Sequence, residues 1–171
     1  TDLQKGYSEY ILRASTYKAL LSLAFYVNST GAPIADLGAA FSEVILTGEI
    51  GGVPIDTITG KKIMENNSLG YWSNRISDLA RDNLNLNTTI SIKSVSASQN
   101  IPWSVNSQMR LNFSVVSEVA KWEKESTIIT IVSIEGIHDP YYMINTGSQY
   151  SNPIRGVSLQ YNQWNITKLR E

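Results

Sequence analysis

A chain of 171 residues, 42% hydrophobic and 17% charged, is long enough for one domain with a real core and too apolar for a disordered segment. Its formal net charge is −1 and its Lys and Arg form no dense stripe, which argues against a nucleic-acid partner and against an electrostatic membrane anchor. It has no cysteine, so disulfides, thiol nucleophiles and thiolate metal sites are all excluded.

Leu3, Tyr7, Tyr10, Ala14, Tyr17, Leu21 and Ala24 alternate spacings of four and three, a heptad-like seam over three heptads. Ile11, Leu20 and Phe25 widen it. This predicts a helix over 3–27, about 37 Å long. Asn28-Ser-Thr-Gly ends it, with Gly31 as a left-handed cap. On this pattern Tyr7, Tyr10 and Tyr17 are either core wedges or, where the first turns project, contacts with neighbouring subunits. The start leaves little room for a cap beyond Thr1 or Asp2, so the expectation is that a hydrophobic membrane helix precedes it. Within the chain the longest apolar run, Ala19–Val27, is interrupted by Ser22 and is too short to span a bilayer.

A second helix is predicted from Pro33 in its first turn to Gly48, with Ile34, Leu37, Phe41, Val44 and Ile45 on its buried face. Gly51-Gly52 between Gly48-Glu-Ile and Val53-Pro-Ile reads as a small hairpin, and 57–65 as polar connection. Asn67 or Ser68 caps a third helix through Leu69, Trp72, Ile76, Leu79 and Ala80, fading near Asn83.

After Asn87 the period changes to two. Ile90 and Ile92 alternate with polar residues, and the phase then shifts to Val95 and Ala97, which predicts a bulge. In the next strand Val105, Met109, Leu111, Phe113, Val115 and Val119 share one parity. Asn106, Gln108, Arg110, Asn112, Ser114 and Glu118 share the other, so one face is in the core and one in water. Thr127 to Ile137 is Ile/Val/Thr-rich on both faces and is expected to be a central strand. A loop over 138–156 precedes a last candidate strand at Val157, Leu159 and Tyr161. The fold class is α+β: a long N-terminal helix plus two shorter helices on an antiparallel sheet of about four strands, in a single domain over 1–171.

Five Asn-X-Ser/Thr triplets punctuate the chain, at Asn28, Asn66, Asn87, Asn112 and Asn165. Such acceptors have meaning outside the cytosol, where glycan is attached. Glycosylation acceptors without cysteine suggest a prokaryotic, archaeal surface. Catalytic signals are weak. The single histidine, His138, lies near Glu135 and Asp139 and offers one imidazole to a metal. A Ser-His-Asp triad would have to use it, and no Gly-X-Ser-X-Gly elbow or phosphate loop is present. Neither a cofactor nor an enzyme activity is expected. Tyr141, Tyr142, Tyr150, Tyr161 and Trp164 gather in the final third and suit a binding surface.

The order of a long helix, short elements and a meander resembles type IV pilin-like proteins. Gly136-Ile-His-Asp-Pro-Tyr-Tyr followed by Asn145-Thr146 is similar to a Gly-x-x-Asp-Pro-x-Tyr…Asn-Thr pattern of archaeal surface proteins with pilin-type anchors. Trp103-Ser-Val-Asn106, opening a strand, is similar to the same group. The resemblance implies a membrane-anchored, extracellular, non-catalytic domain whose partners are other surface or filament subunits. The alternative expectation is a ligand-sensing PAS-like or Cache-like domain of a membrane receptor. That reading needs a pocket on one sheet face with a few convergent polar groups.

Overall fold

The computed structural model describes residues 2–117, 119–139 and 153–154, with the side chains of 2–5 and 100 outside the description. The architecture is α+β. Helix α1 (Asp2–Thr30) is followed by α2 (Leu37–Thr47), strands β1 (Glu49–Ile50) and β2 (Val53–Pro54), and helices α3 (Ile55–Thr59) and α4 (Leu69–Leu84). Strands β3 (Asn87–Ile101), β4 (Ser104–Val116) and β5 (Lys121–Ser133) complete it. β1 and β2 form the expected hairpin, and β3-β4-β5 is an antiparallel meander. The main sheet thus has three strands among the described residues. The candidate strand at Val157, Leu159 and Tyr161 lies outside them.

The helix ends follow local chemistry. Gly31 takes φ +67° and its N–H bonds the Val27 carbonyl at 2.8 Å. Asp36, not Pro33, starts α2, its carboxylate accepting from Ala39 N–H at 2.9 Å. Pro33 lies upstream of the helix and Leu37 is exposed, which corrects both expectations. Gly48 closes α2 at φ +79°. Ser68 caps α4 by accepting from Tyr71 N–H. The stretch read as polar connection contains one helical turn, α3. Beyond it, Asp56 gathers the N–H groups of Ile63, Met64 and Glu65 at 3.0, 3.0 and 2.7 Å.

The sheet's inner face is one parity of β4 and β5. Val105, Ser107, Met109 and Leu111 are buried on β4, and Ile128, Thr130 and Val132 on β5. The predicted phase shift is a register break between Ile92 and Ser94 opposite β4. Two expectations fail here. Val119 is not in the strand but in the exposed β4–β5 turn. The Ile/Val/Thr-rich segment is not central: β4 is, and β5 pairs along one side only among the described residues. Ile129 and Ile131 therefore face outward, 60% and 65% exposed.

α1 lies on this sheet with a different side from the one its heptad seam marks. Its fully buried positions are Leu12, Ser15, Thr16, Ala19, Ser22, Leu23 and Val27. At 100° per residue this stripe is centred roughly opposite the seam. The core joins it to Phe41, Val44 and Ile45 of α2, Ile55 of α3, and Val95, Met109, Leu111 and Ile128 of the sheet. No helix among the described residues is long and apolar enough to cross a membrane.

Candidate functional site

Polar side chains weld the core side of α1 to the body. Thr16 Oγ1 donates to Ser107 Oγ at 2.8 Å, and Ser15 Oγ to the Asn67 carbonyl at 2.8 Å. Arg13 Nε donates to Thr130 Oγ1 at 3.3 Å, and Lys18 Nζ to Asn67 Oδ1. The first part of the seam is left open on the other side, and its last residue, Ala24, is buried. Tyr7 is 49% and Tyr10 66% exposed, and Ala14 and Leu21 are half-buried. Tyr17 and Leu21 lean on a small second cluster of Ala24, Val105, Ile134 and Ile137, so Tyr17 is a partial wedge. Tyr141 and Tyr142 lie outside the described residues.

The glycosylation candidates are placed separately rather than gathered. Asn28 is exposed near the end of α1. It is eighteen residues, or five turns, after Tyr10, so it shares that side about 27 Å further along. Asn66 is exposed in the turn before α4 at φ +61°, and Asn87 is exposed at the first position of β3. Asn112 is half-buried on the sheet's outer parity, opposite Ser91 and Glu125. Asn165 lies outside the described residues. The rest of that outer face is mainly hydroxyl and amide on β3 and β4, with the exposed Ile129 and Ile131 on β5 and an exposed Arg110–Glu125 ion pair at 3.3 Å. At its charged end Lys121, hydrogen-bonded to Glu123, holds the Glu123 carboxyl below its ordinary range.

Among the described residues no group of three or more His, Asp or Glu side chains is arranged to hold a metal ion. The Glu135, His138 and Asp139 spacing thus does not converge on one point. Gly136 takes φ +87° there, turning the chain so that His138 pairs with Pro153.

Sequence reasoning missed a cavity of ≈ 370 Å³ between α4, the first turns of α1 and the inner face of β3 and β4. Trp72, Ile76, Ala80 and Leu84 line it from above. Ile90, Ile92, Phe113 and Val115 line it from the sheet, and Tyr7 and Ile11 from α1. Ser8, Ser73 and Thr88 supply hydroxyls, and no charged side chain takes part. A second space of ≈ 890 Å³, nearer the other end of α1, differs in having His138 and Asp139 in its wall. The only signal for the first cavity was the alternation of Ile90 and Ile92 under an amphipathic helix, which ordinarily means simple packing.

Comparison with known proteins finds no matching family model, no similar curated protein and no similar solved structure.

Proposed function

We propose that the chain is the non-catalytic, extracellular domain of a membrane-anchored surface protein, working by lateral assembly through the outward side of α1. One observation carries this reading: the first part of the heptad seam, at Tyr7 and Tyr10, is exposed, while from Tyr17 on the seam packs on the small cluster around Ala24. A 4-3 apolar repeat is the pattern by which one helix meets another, and Tyr7 and Tyr10 expose it where α1 is least covered. The basic residues flanking the seam do not oppose this, because Arg13 and Lys18 turn their heads onto Thr130 and Asn67. In this reading the occupant is another surface or filament subunit, and α1 continues upstream into the anchoring helix. The outer face of the sheet, polar on β3 and β4 around Asn112 and carrying the exposed Ile129 and Ile131 on β5, is turned outward, and Asn28, Asn66 and Asn87 all lie where a glycan displaces no packing.

The test is sedimentation velocity over a concentration series, for the wild-type chain and for Tyr10→Lys. Reversible association is expected for the wild type and its loss for the variant. A wild-type chain that stays monomeric at millimolar concentration overturns the assembly reading. Intact mass of natively expressed protein tests the location separately. Hexose-bearing mass increments are expected, and an unmodified mass removes the support that the acceptors give.

A further inference from the structure

We infer that the space beneath α4 binds a single aliphatic chain, whose polar end stays in water at the mouth between Tyr7 and Leu84. The inference rests on other observations than the assembly proposed above, although Tyr7 borders both surfaces. Its starting point is a mismatch. α4 has 16 residues and a continuous apolar side, yet Leu69 is its one buried hydrophobic residue. A helix of that length and pattern ordinarily buries its apolar stripe on the layer below. Here Trp72, Ile76 and Ala80 remain half-buried, and so do Ile90, Ile92 and Phe113 facing them. Two apolar walls stand opposite each other with ≈ 370 Å³ between them.

The gap is set by backbone, not by the pocket's own side chains. A Cβ on Gly70 would come within 2.8 Å of the Leu46 carbonyl oxygen, so the first turn of α4 already rests directly on α2. The cavity has a closed floor, since Ile11, Leu69, Met109 and Leu111 are buried, and an open end, since Tyr7 and Leu84 are exposed. Its lining runs from one end of α4 to the other, about 22 Å at 1.5 Å per residue. A modest volume drawn out over that length suits a chain better than a compact ring system.

The chemistry of the walls narrows the ligand further. A charge carried to the floor would meet no counter-charge, and an unpaired buried charge is strongly disfavoured. Ser73 Oγ is already committed to the Leu69 carbonyl at 2.9 Å. The hydroxyls of Tyr7 and Thr88 are left to meet a polar head. Dry apolar cavities of under half this size take up hydrocarbons. The chain could come from a free fatty alcohol or acid, or from a membrane lipid.

Isothermal titration with 1-octanol, 1-decanol and 1-dodecanol, below their aggregation limits, tests the site. One-to-one saturable binding is expected, tightening about fourfold per added methylene and then levelling off when the slot is full. Ala80→Trp fills the slot and is expected to weaken binding at least tenfold, with the circular dichroism spectrum retained. Leu84→Glu, at an exposed position, is expected to weaken binding several-fold without any burden on folding. Flotation with phosphatidylcholine vesicles separates the sources: co-flotation that Ala80→Trp abolishes assigns a lipid chain, and its absence beside alcohol binding assigns a free one. Absence of saturable binding, or affinities unchanged in both variants, overturns the inference.

Discussion

Thr16 and Ser107, 91 residues apart, share a buried hydrogen bond of 2.8 Å that ties α1 to the central strand. Thr16→Val keeps the shape but strands the Ser107 hydroxyl in the core. It is expected to destabilise the chain by about 1–3 kcal/mol. The double variant Thr16→Val, Ser107→Ala removes both polar partners and should lose less than the two single changes summed. A urea-denaturation cycle measures this, and strict additivity would show the pair to be uncoupled.

Ser22 supplies the opposite case on the same helix. It is fully buried and its Oγ has no hydrogen-bond partner among the described residues. Ser22→Ala is therefore expected to stabilise by about 1 kcal/mol, raising the melting temperature by about 2–4 °C.

The two sides of α1 should respond differently to truncation. Leu12→Ala opens a cavity at a position with no exposure and is expected to lose about 2–5 kcal/mol. Tyr10→Ala removes an exposed ring and should shift stability by less than about 0.5 kcal/mol in the monomer. Equal losses in thermal melts would mean that the seam is packed as fully as the Leu12 side.

Asp56 organises the connection between α3 and α4 by accepting from three successive backbone N–H groups. Asp56→Ala leaves those donors without their acceptor. The expected result is faster tryptic cleavage after Lys61 and Lys62 under native conditions, with a modest change in global melting temperature. An unchanged digestion pattern would show that the segment holds its form without the carboxylate.

Gly70→Ala forces a contact of 2.8 Å between a new Cβ and the Leu46 carbonyl oxygen. Backbone lies on both sides, so the strain has no flexible side chain to absorb it. A loss of about 1–3 kcal/mol is expected in chemical denaturation, against less than about 0.5 kcal/mol for Ser→Ala at exposed Ser29.

Much of the layout was legible because periodicity and caps speak directly. The alternation in β4, the phase slip after Ile92, the Gly-Gly hairpin and the caps at Gly31, Gly48 and Ser68 all appear where the residue pattern puts them. α3 was missed because Ile55-Asp-Thr-Ile-Thr is too short for a period and rich in threonine. The core side of α1 was hidden for a different reason. Ser15, Thr16 and Ser22 are small enough to let the helix approach the sheet closely, but hydrophobic periodicity counts them as surface. The seam of tyrosines then took the place of the true stripe. In β5 the isoleucines at 129 and 131 read as burial when they are exposed on the outward parity. The space under α4 had only an ambiguous signal in the sequence, because the alternating Ile90 and Ile92 would line it or fill it equally well.

The position of α1 also governs the order of events during synthesis. α1 precedes its cover in the chain: the surface that buries Leu12, Ala19 and Leu23 includes β4 and β5, which follow some 80 to 120 residues later. Loop closure over that distance slows folding and leaves the helix's apolar side unshielded in the meantime. Until the meander has formed, α2 and α3 are the only described elements near in sequence that can cover part of that side.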